Sequence, residues 1–346
     1  MKYAAANDSA TFCALSSLNV SATLLHENRV HKATRKRKKL LLLILKTFKD
    51  PTKVGKNFGS ITIFFYFCIK INNKMLNFLS FGSGSSGNCY YLFTEQDGLI
   101  IDIGIGLRQL KKYFQDYGLD MGGVKHVLVT HDHADHVKSV GTFSQEHHLP
   151  VYATEMVHKG IDLNECVHKK IMPIDRHIVE KGRTFQLGDF TITAFEVPHD
   201  SHDNVGYCID AEGVRFCLMT DVGHVTEEMK GYIGSADYLV IEANHDKEML
   251  RNGSYPQFLK ERVASDSGHL SNVDCAIAIA ENATPKLKQV WLCHLSHDNN
   301  HPELARKTVE MTLNSYGIVP GKDFLLEVLK RKSPTGIFEL KSSDDV

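Results

Sequence analysis

From residue 75 onward the chain alternates short apolar runs with polar turns. LNFLSF (76–81), CYYLFT (89–94) and GLIIDIG (98–104) combine aliphatic and aromatic residues between Gly, Ser and Asp, the pattern of strands. LRQLKKYFQDYG (107–118) is amphipathic and closes on Gly118, as a helix does. HVLVTH (126–131) and PVYAT (150–154) read as strands, with a helix expected over 135–148. TFQLGDFTITAFEVPH (184–199) reads as a hairpin turning at Gly188, and VGYCIDAEGVRFCLMTD (205–221) as a hairpin turning at Glu212–Gly213. Strands over 237–244 and 288–296 alternate with helices expected over 271–283 and 302–316. Strands outnumber helices, and short βα units bracket them. This predicts an α/β protein, with stacked sheets and helices outside. No period of 20–50 residues recurs, which excludes a repeat architecture.

The first 74 residues follow another pattern. RKRKK (35–39) precedes LLLLIL (40–45), and ITIFFYFCIKI (61–71) follows. These apolar runs are too short, or too interrupted by lysine, for a membrane span. The basic run begins too far from the terminus for a secretory signal. A basic run can also mark nuclear targeting or a nucleic-acid patch. The orderly pattern begins at Met75. The expectation is therefore that 1–74 is a disordered extension or an upstream reading that is not translated, and that 75–346 forms one domain.

Charge sharpens this division. Residues 1–74 carry 14 Lys and Arg against 3 Asp and Glu, a net +11, whereas 75–346 carry 26 against 38, a net −12. The eight cysteines form no CxxC pair, and several sit in apolar runs. They read as reduced, buried thiols of a cytoplasmic protein rather than a disulfide framework.

The chemistry concentrates in HDHADH (131–136), directly behind a strand. Imidazole and carboxylate are ligands for zinc, manganese and iron. Side chains two apart on extended backbone share a face, so His131 and His133 can grip one ion. Asp135 and His136 then turn towards a neighbouring position as a helix begins.

HDHADH resembles the HxHxDH signature of the metallo-β-lactamase fold superfamily. Further pieces match in family order: Asp102 in LIIDIG, His199 in FEVPHD, Asp221 in CLMTD and His294 in VWLCHLS. The resemblance covers about residues 76–340. It implies a four-layer αβ/βα sandwich holding two divalent ions, zinc or manganese, with iron also allowed. One ion would take His131, His133, His199 and an oxygen of Asp221. The other would take Asp135, His136, His294 and the second oxygen of Asp221. Asp102 would support these ligands from behind. Two such ions acidify a bridging water, from a pKa of about 15.7 to roughly 7, and so supply a hydroxide nucleophile. Asp135 would hold that nucleophile and shuttle its proton.

Within the superfamily, FGSGSSGNCYYL (81–92), GHLSN (268–272) and HLSHDNNHPELA (294–305) resemble the YycJ/WalJ (VicX) group, regarded as nucleic-acid hydrolases. Residues 268–275 and LVIEAN also resemble motifs of tRNase Z proteins. That likeness implies His269 as general acid, oriented by Glu242. The expected function is a phosphodiesterase or exonuclease acting on a single-stranded or terminal segment of nucleic acid. The alternative is a hydrolase of small esters, lactones or thioesters. The net charge of −12 argues against wrapping a duplex, because counterion release needs a basic surface. SGSSGN (83–88) offers free backbone N–H groups to a phosphate or is a plain turn. Asn299 and Asn300 are expected to cap the last helix. His158 is expected on the surface, and His202, close to His199, is harder to dismiss.

Overall fold

The computed structural model describes residues 75–342, and the expectations for residues 1–74 lie outside them. Fourteen strands are present among these residues, numbered in chain order. They are β1 (Leu76–Gly82), β2 (Cys89–Phe93), β3 (Gly98–Ile101), β4 (Val124–Leu128), β5 (Val151–Ala153), β6 (Arg176–Ile178) and β7 (Thr184–Leu187). The second half adds β8 (Phe190–Glu196), β9 (Val205–Ala211), β10 (Val214–Met219), β11 (Tyr238–Glu242), β12 (Gln289–Cys293), β13 (Leu325–Val328) and β14 (Phe338–Leu340).

Two seven-stranded mixed sheets result. One runs β14-β1-β2-β3-β4-β5-β6, and the other β13-β12-β11-β10-β9-β8-β7. Between them lies a dry core built from both inner faces. Leu76, Phe78 and Tyr90 of the first sheet meet Phe190, Tyr207, Phe216 and Trp291 of the second. Phe78 and Trp291 hold their ring centroids 4.8 Å apart, within the range aromatic pairs favour.

Helices cover the outer faces. The first sheet packs Leu79, Tyr91, Ile100 and Val127 against α1 (Leu107–Asp116), α3 (Val140–His147) and α4 (Glu155–Leu163). The second sheet packs against α5 (Glu227–Ser235), α8 (Asn272–Asn282) and α9 (Pro302–Ser315). Helix, sheet, sheet, helix is the four-layer order that the resemblance implied. The remaining short helices are α2 (Ala134–Val137), α6 (Lys247–Asn252) and α7 (Gln257–Val263).

Some boundaries differ from the sequence reading. The helix expected over 135–148 is broken into α2 and α3, with Lys138 and Ser139 between them. Ser271 caps α8 by accepting from the Asp274 N–H, as the sequence allowed. The cap of α9 is His301, which accepts from Glu303, and not Asn299 or Asn300. Asn300 is buried instead and donates to the carbonyls of Ala243 and Asn244. His158 is also buried, near the His177 carbonyl. No helix among the described residues is long and apolar enough to cross a membrane.

Candidate metal centre

The candidate residues sit where strands end. β3 leads into Asp102, β4 into the HDHADH loop, β10 into Asp221, β11 into Glu242 and β12 into His294. β3 and β4 are parallel neighbours, as are β10, β11 and β12, so their carboxyl ends open along common edges. Asp102, Asp221 and His294 adopt left-handed backbone, with φ of 60°, 54° and 51°. That conformation is uncommon for residues other than glycine and costs on the order of 1 kcal/mol or more each. The surrounding sheets fix the backbone there and turn each side chain towards the same point.

All seven residues expected as ligands come together. Donor atoms of His131, His133 and His199 lie within 4.8 Å of one another, as do those of Asp135, His136 and His294. Asp221 stands between the two groups. Its Oδ1 is 3.7 Å from His199 Nε2 and 4.0 Å from His131 Nε2, and its Oδ2 is 3.2 Å from His136 Nε2. His294 Nε2 lies 3.3 Å from Asp135 Oδ2. Asp102 stands behind the cluster, with Oδ2 2.7 Å from His136 Nδ1. It also accepts from the Thr130 N–H and hydroxyl, so its position is doubly fixed.

The loop is clamped by backbone as well. The Asn88 N–H donates to the Asp135 carbonyl, and the Gly104 N–H to the Asn88 carbonyl. A Cβ on Gly104 would overlap the Asp135 carbonyl, so only glycine permits this approach.

His269 and Glu242 complete the rim. His269 Nδ1 and His294 Nδ1 each lie 2.9 Å from Glu242 Oε1. Glu242 Oε2 accepts from the N–H groups of Val222 and Leu270. A carboxylate with four such neighbours is fully satisfied although buried. Glu242 therefore touches an expected ligand as well as the expected acid, and Asp221, Glu242, His269 and His294 form a further cluster of ligand type.

Electrostatics follow from this crowding. Burial acts to raise the Asp135 carboxyl, but His136 and His294 beside it prevail and hold it at about 2. Glu242 is likewise held at about 2 by His269 and His294 against its burial. Burial opposes charge on His136, yet Asp221, Asp102 and Asp135 push it up to about 10. His131 goes the other way: burial and the neighbouring imidazoles keep it well below its usual range.

Several contributors escaped sequence reasoning. Ser83 Oγ accepts from the His294 N–H, and the Asn88 side-chain amide lies 2.8 Å from His136 Nε2. Asn244 donates to the His294 carbonyl. These residues are remote in sequence from their partners, and no spacing rule reveals them. His202 is tied to Asp132, its Nδ1 2.7 Å from Asp132 Oδ2, and does not join the cluster.

The donor set fits two divalent ions. His131 Nε2 is buried without a hydrogen-bond partner among the described residues and faces Asp221, which a cation would explain. His133 Nδ1 and His199 Nε2 face each other at 3.3 Å, an arrangement that wants a shared electrophile. Imidazole and carboxylate together suit zinc, manganese or iron. A cavity of about 740 Å³ opens beside His269, lined in part by His245, Leu250, Ala264, Leu270 and Ile277.

Comparison with known proteins agrees with this architecture. A family profile described as a β-lactamase superfamily domain matches residues 99–295. An exodeoxyribonuclease YycJ from Bacillus anthracis is 37% identical over 262 residues, covering 76% of this chain and 98% of that protein. An exodeoxyribonuclease WalJ from Streptococcus pneumoniae is 36% identical over 242 residues, covering 70% of this chain and 90% of its own length. Among solved structures, the metallo-β-lactamase fold protein YhfI of Bacillus subtilis superposes with a TM-score of 0.58 at 16% identity, over 78% of this chain and all of that one. With the HDHADH loop, the downstream His and Asp positions and two sandwiched sheets in one arrangement, the chain belongs to the metallo-β-lactamase superfamily.

Proposed function

We propose that this protein is a dinuclear metal-dependent phosphodiesterase that shortens DNA from its ends. The similarity to two exodeoxyribonucleases over most of their length supports the substrate class. The observation that carries the reading is His269: it borders the cluster, keeps some exposure, and has one ring nitrogen held by Glu242.

In this reading His131, His133, His199 and Asp221 would hold one ion, and Asp135, His136, His294 and Asp221 would hold the other. Bound divalent ions supply Lewis acidity and a water acidic enough to be deprotonated near neutral pH. Asp135, more exposed than Asp221, would orient that water through its carboxylate. His269 gives a proton from Nε2 to the departing sugar oxygen, and Glu242 Oε1 keeps the ring turned by holding Nδ1. An alkoxide needs such a donor far more than a thiolate does. The cavity beyond His269 gives the departing nucleotide room. The buried thiols of Cys89, Cys208, Cys217, Cys275 and Cys293 suit a reducing cytoplasm.

The test is turnover of single-stranded oligodeoxynucleotides and bis-p-nitrophenyl phosphate, beside a lactone and a thioester, in zinc and in manganese. Progressive loss of terminal nucleotides is expected. Lactone or thioester turnover without phosphodiester cleavage would overturn the proposal.

A further inference from the structure

A domain with a net charge of −12 must hold a polyanion by a few well-placed cations. Most arginines among the described residues are already engaged. Arg176, Arg215 and Arg262 each place two nitrogens on the carboxylates of Asp162, Asp210 and Asp200. Arg331 differs. It is half-buried, and among the described residues its Nε has no hydrogen-bond partner and no carboxylate forms an ion pair with it, Asp298 acting only from further away. A half-buried guanidinium balanced only by a carboxylate beyond ion-pair distance is costly unless a ligand completes it. Lys330 and Lys332 flank it, both exposed.

Arg331 leans on the SGSSGN loop. A Cβ on Gly84 would meet its Cγ and Nε at 3.3 Å, and the Ser83 N–H donates to the Lys330 carbonyl. The loop is a tight turn closed by the Gly87 N–H on the Gly84 carbonyl. Gly87 has a φ of 140°, where a side chain would also strike Gly104. The turn leaves Ser85 and Ser86 exposed at its tip, with N–H groups and hydroxyls that have no partner among the described residues. Between loop and arginine lies a cavity of about 150 Å³, lined by Ser86, Gly87, Gln109, Arg331 and Lys332 among others. That volume suits a phosphate. The same loop reaches the candidate centre, because Ser83 Oγ accepts from His294 N–H and Asn88 binds the Asp135 carbonyl.

We propose that Arg331, with Lys332 and the Ser85–Ser86 tip, grips a phosphate of the DNA strand adjacent to the scissile one. The inference rests on the DNA-hydrolase reading and names the contact that registers the strand over the metals. The guanidinium supplies forked donors, and the turn supplies N–H and hydroxyl groups. The phosphate is an internal diester or a terminal monoester, and both present the same oxygens.

The test compares wild type, Arg331→Gln, Arg331→Lys and Ser86→Glu, each loaded with metal and checked for melting temperature and metal content. Substrates are single-stranded oligodeoxynucleotides with 5′-phosphate, 3′-phosphate or hydroxyl ends, at several salt concentrations. Arg331→Gln should raise KM about tenfold with kcat nearly kept. The slope of log KM against log salt should fall by about 0.7, one contact's worth on a single strand. Arg331→Lys should retain most of that slope, and Ser86→Glu should raise KM without touching the arginine. A loss shared by every substrate assigns an internal diester, and a loss confined to one phosphorylated end assigns a terminal monoester. Wild-type KM and slope in both Arg331→Gln and Ser86→Glu would overturn the site alone. A wild-type protein that neither binds nor cleaves DNA would overturn the site together with the reading beneath it.

Discussion

His269 Nδ1 lies 2.9 Å from Glu242 Oε1, and the carboxylate that receives it is itself fixed by two backbone N–H groups. This contact sets which ring nitrogen is free to face a substrate. His269→Ala should lower kcat by about 10²–10⁴-fold on a DNA end, the usual size of one acid–base contribution. Metal content should stay near two per chain. Glu242→Gln should cost about 10–100-fold, as loss of an orienting partner does. If His269→Ala loses metal, as read by plasma mass spectrometry, His269 is a ligand and the acid is elsewhere; metal loss confined to Glu242→Gln would instead reflect its hold on His294.

Asp221 spans both groups of ligands, with one oxygen towards His131 and His199 and the other towards His136. Asp221→Ala should therefore reduce metal content from two per chain to one or none, and abolish turnover. Asp135→Ala should abolish turnover while the fold survives, because Asp135 is partly exposed and supports no core packing. Circular dichroism and metal analysis of the two variants check the contrast. Full metal content in Asp221→Ala would remove it from its bridging place.

What the sequence revealed, and what it hid, has a physical pattern. Eleven of the fourteen described strands were legible because alternation and apolar runs report burial directly, whereas β6, β13 and β14, three or four residues each, were too brief to show either; HDHADH was legible because five ligand-type residues fall within six positions. The sequence pattern predicts no helix where α4, α5, α6 and α7 lie. They are short, six to nine residues each, too few turns to establish a helical period from sequence. The supports were hidden for another reason. Ser83 is 211 residues from His294, and Asn88 is 48 from His136, so only the folded chain pairs them. The left-handed backbone at Asp102, Asp221 and His294 left no mark in composition, since none of the three is glycine.

Gly104 tests how far the loop depends on close packing. A methyl group there would overlap the carbonyl of the residue that carries one expected ligand, Asp135. Gly104→Ala should destabilise the fold by about 1–3 kcal/mol, the usual cost of overpacking. For a domain of this size that is a fall in Tm of roughly 3–10 °C. The displaced loop should also weaken metal binding. Thermal melts with and without added zinc read both effects, and an unchanged Tm would show that Asp135 moves freely.

His245 gives the pH dependence. Its ring is buried in the wall of the larger cavity, its Nδ1 has no hydrogen-bond partner among the described residues, and burial pushes it down from 6.5 to about 4. The folded protein thus binds this proton more weakly than the unfolded chain does. Its unfolded state gains the proton as pH falls through 6.5, so stability is lost between about 6.5 and 4 and levels off below. The shift corresponds to a loss of about 3 kcal/mol, if nothing else relaxes. His245→Gln fills similar space without titrating, and it should be less stable than wild type at pH 7.5. The gap should close, or reverse, by pH 4.5. Urea denaturation of both proteins without metal, at half-unit steps of pH, measures it. A constant difference across that range would mean that the His245 ring takes up its proton in the folded state as easily as in the open chain.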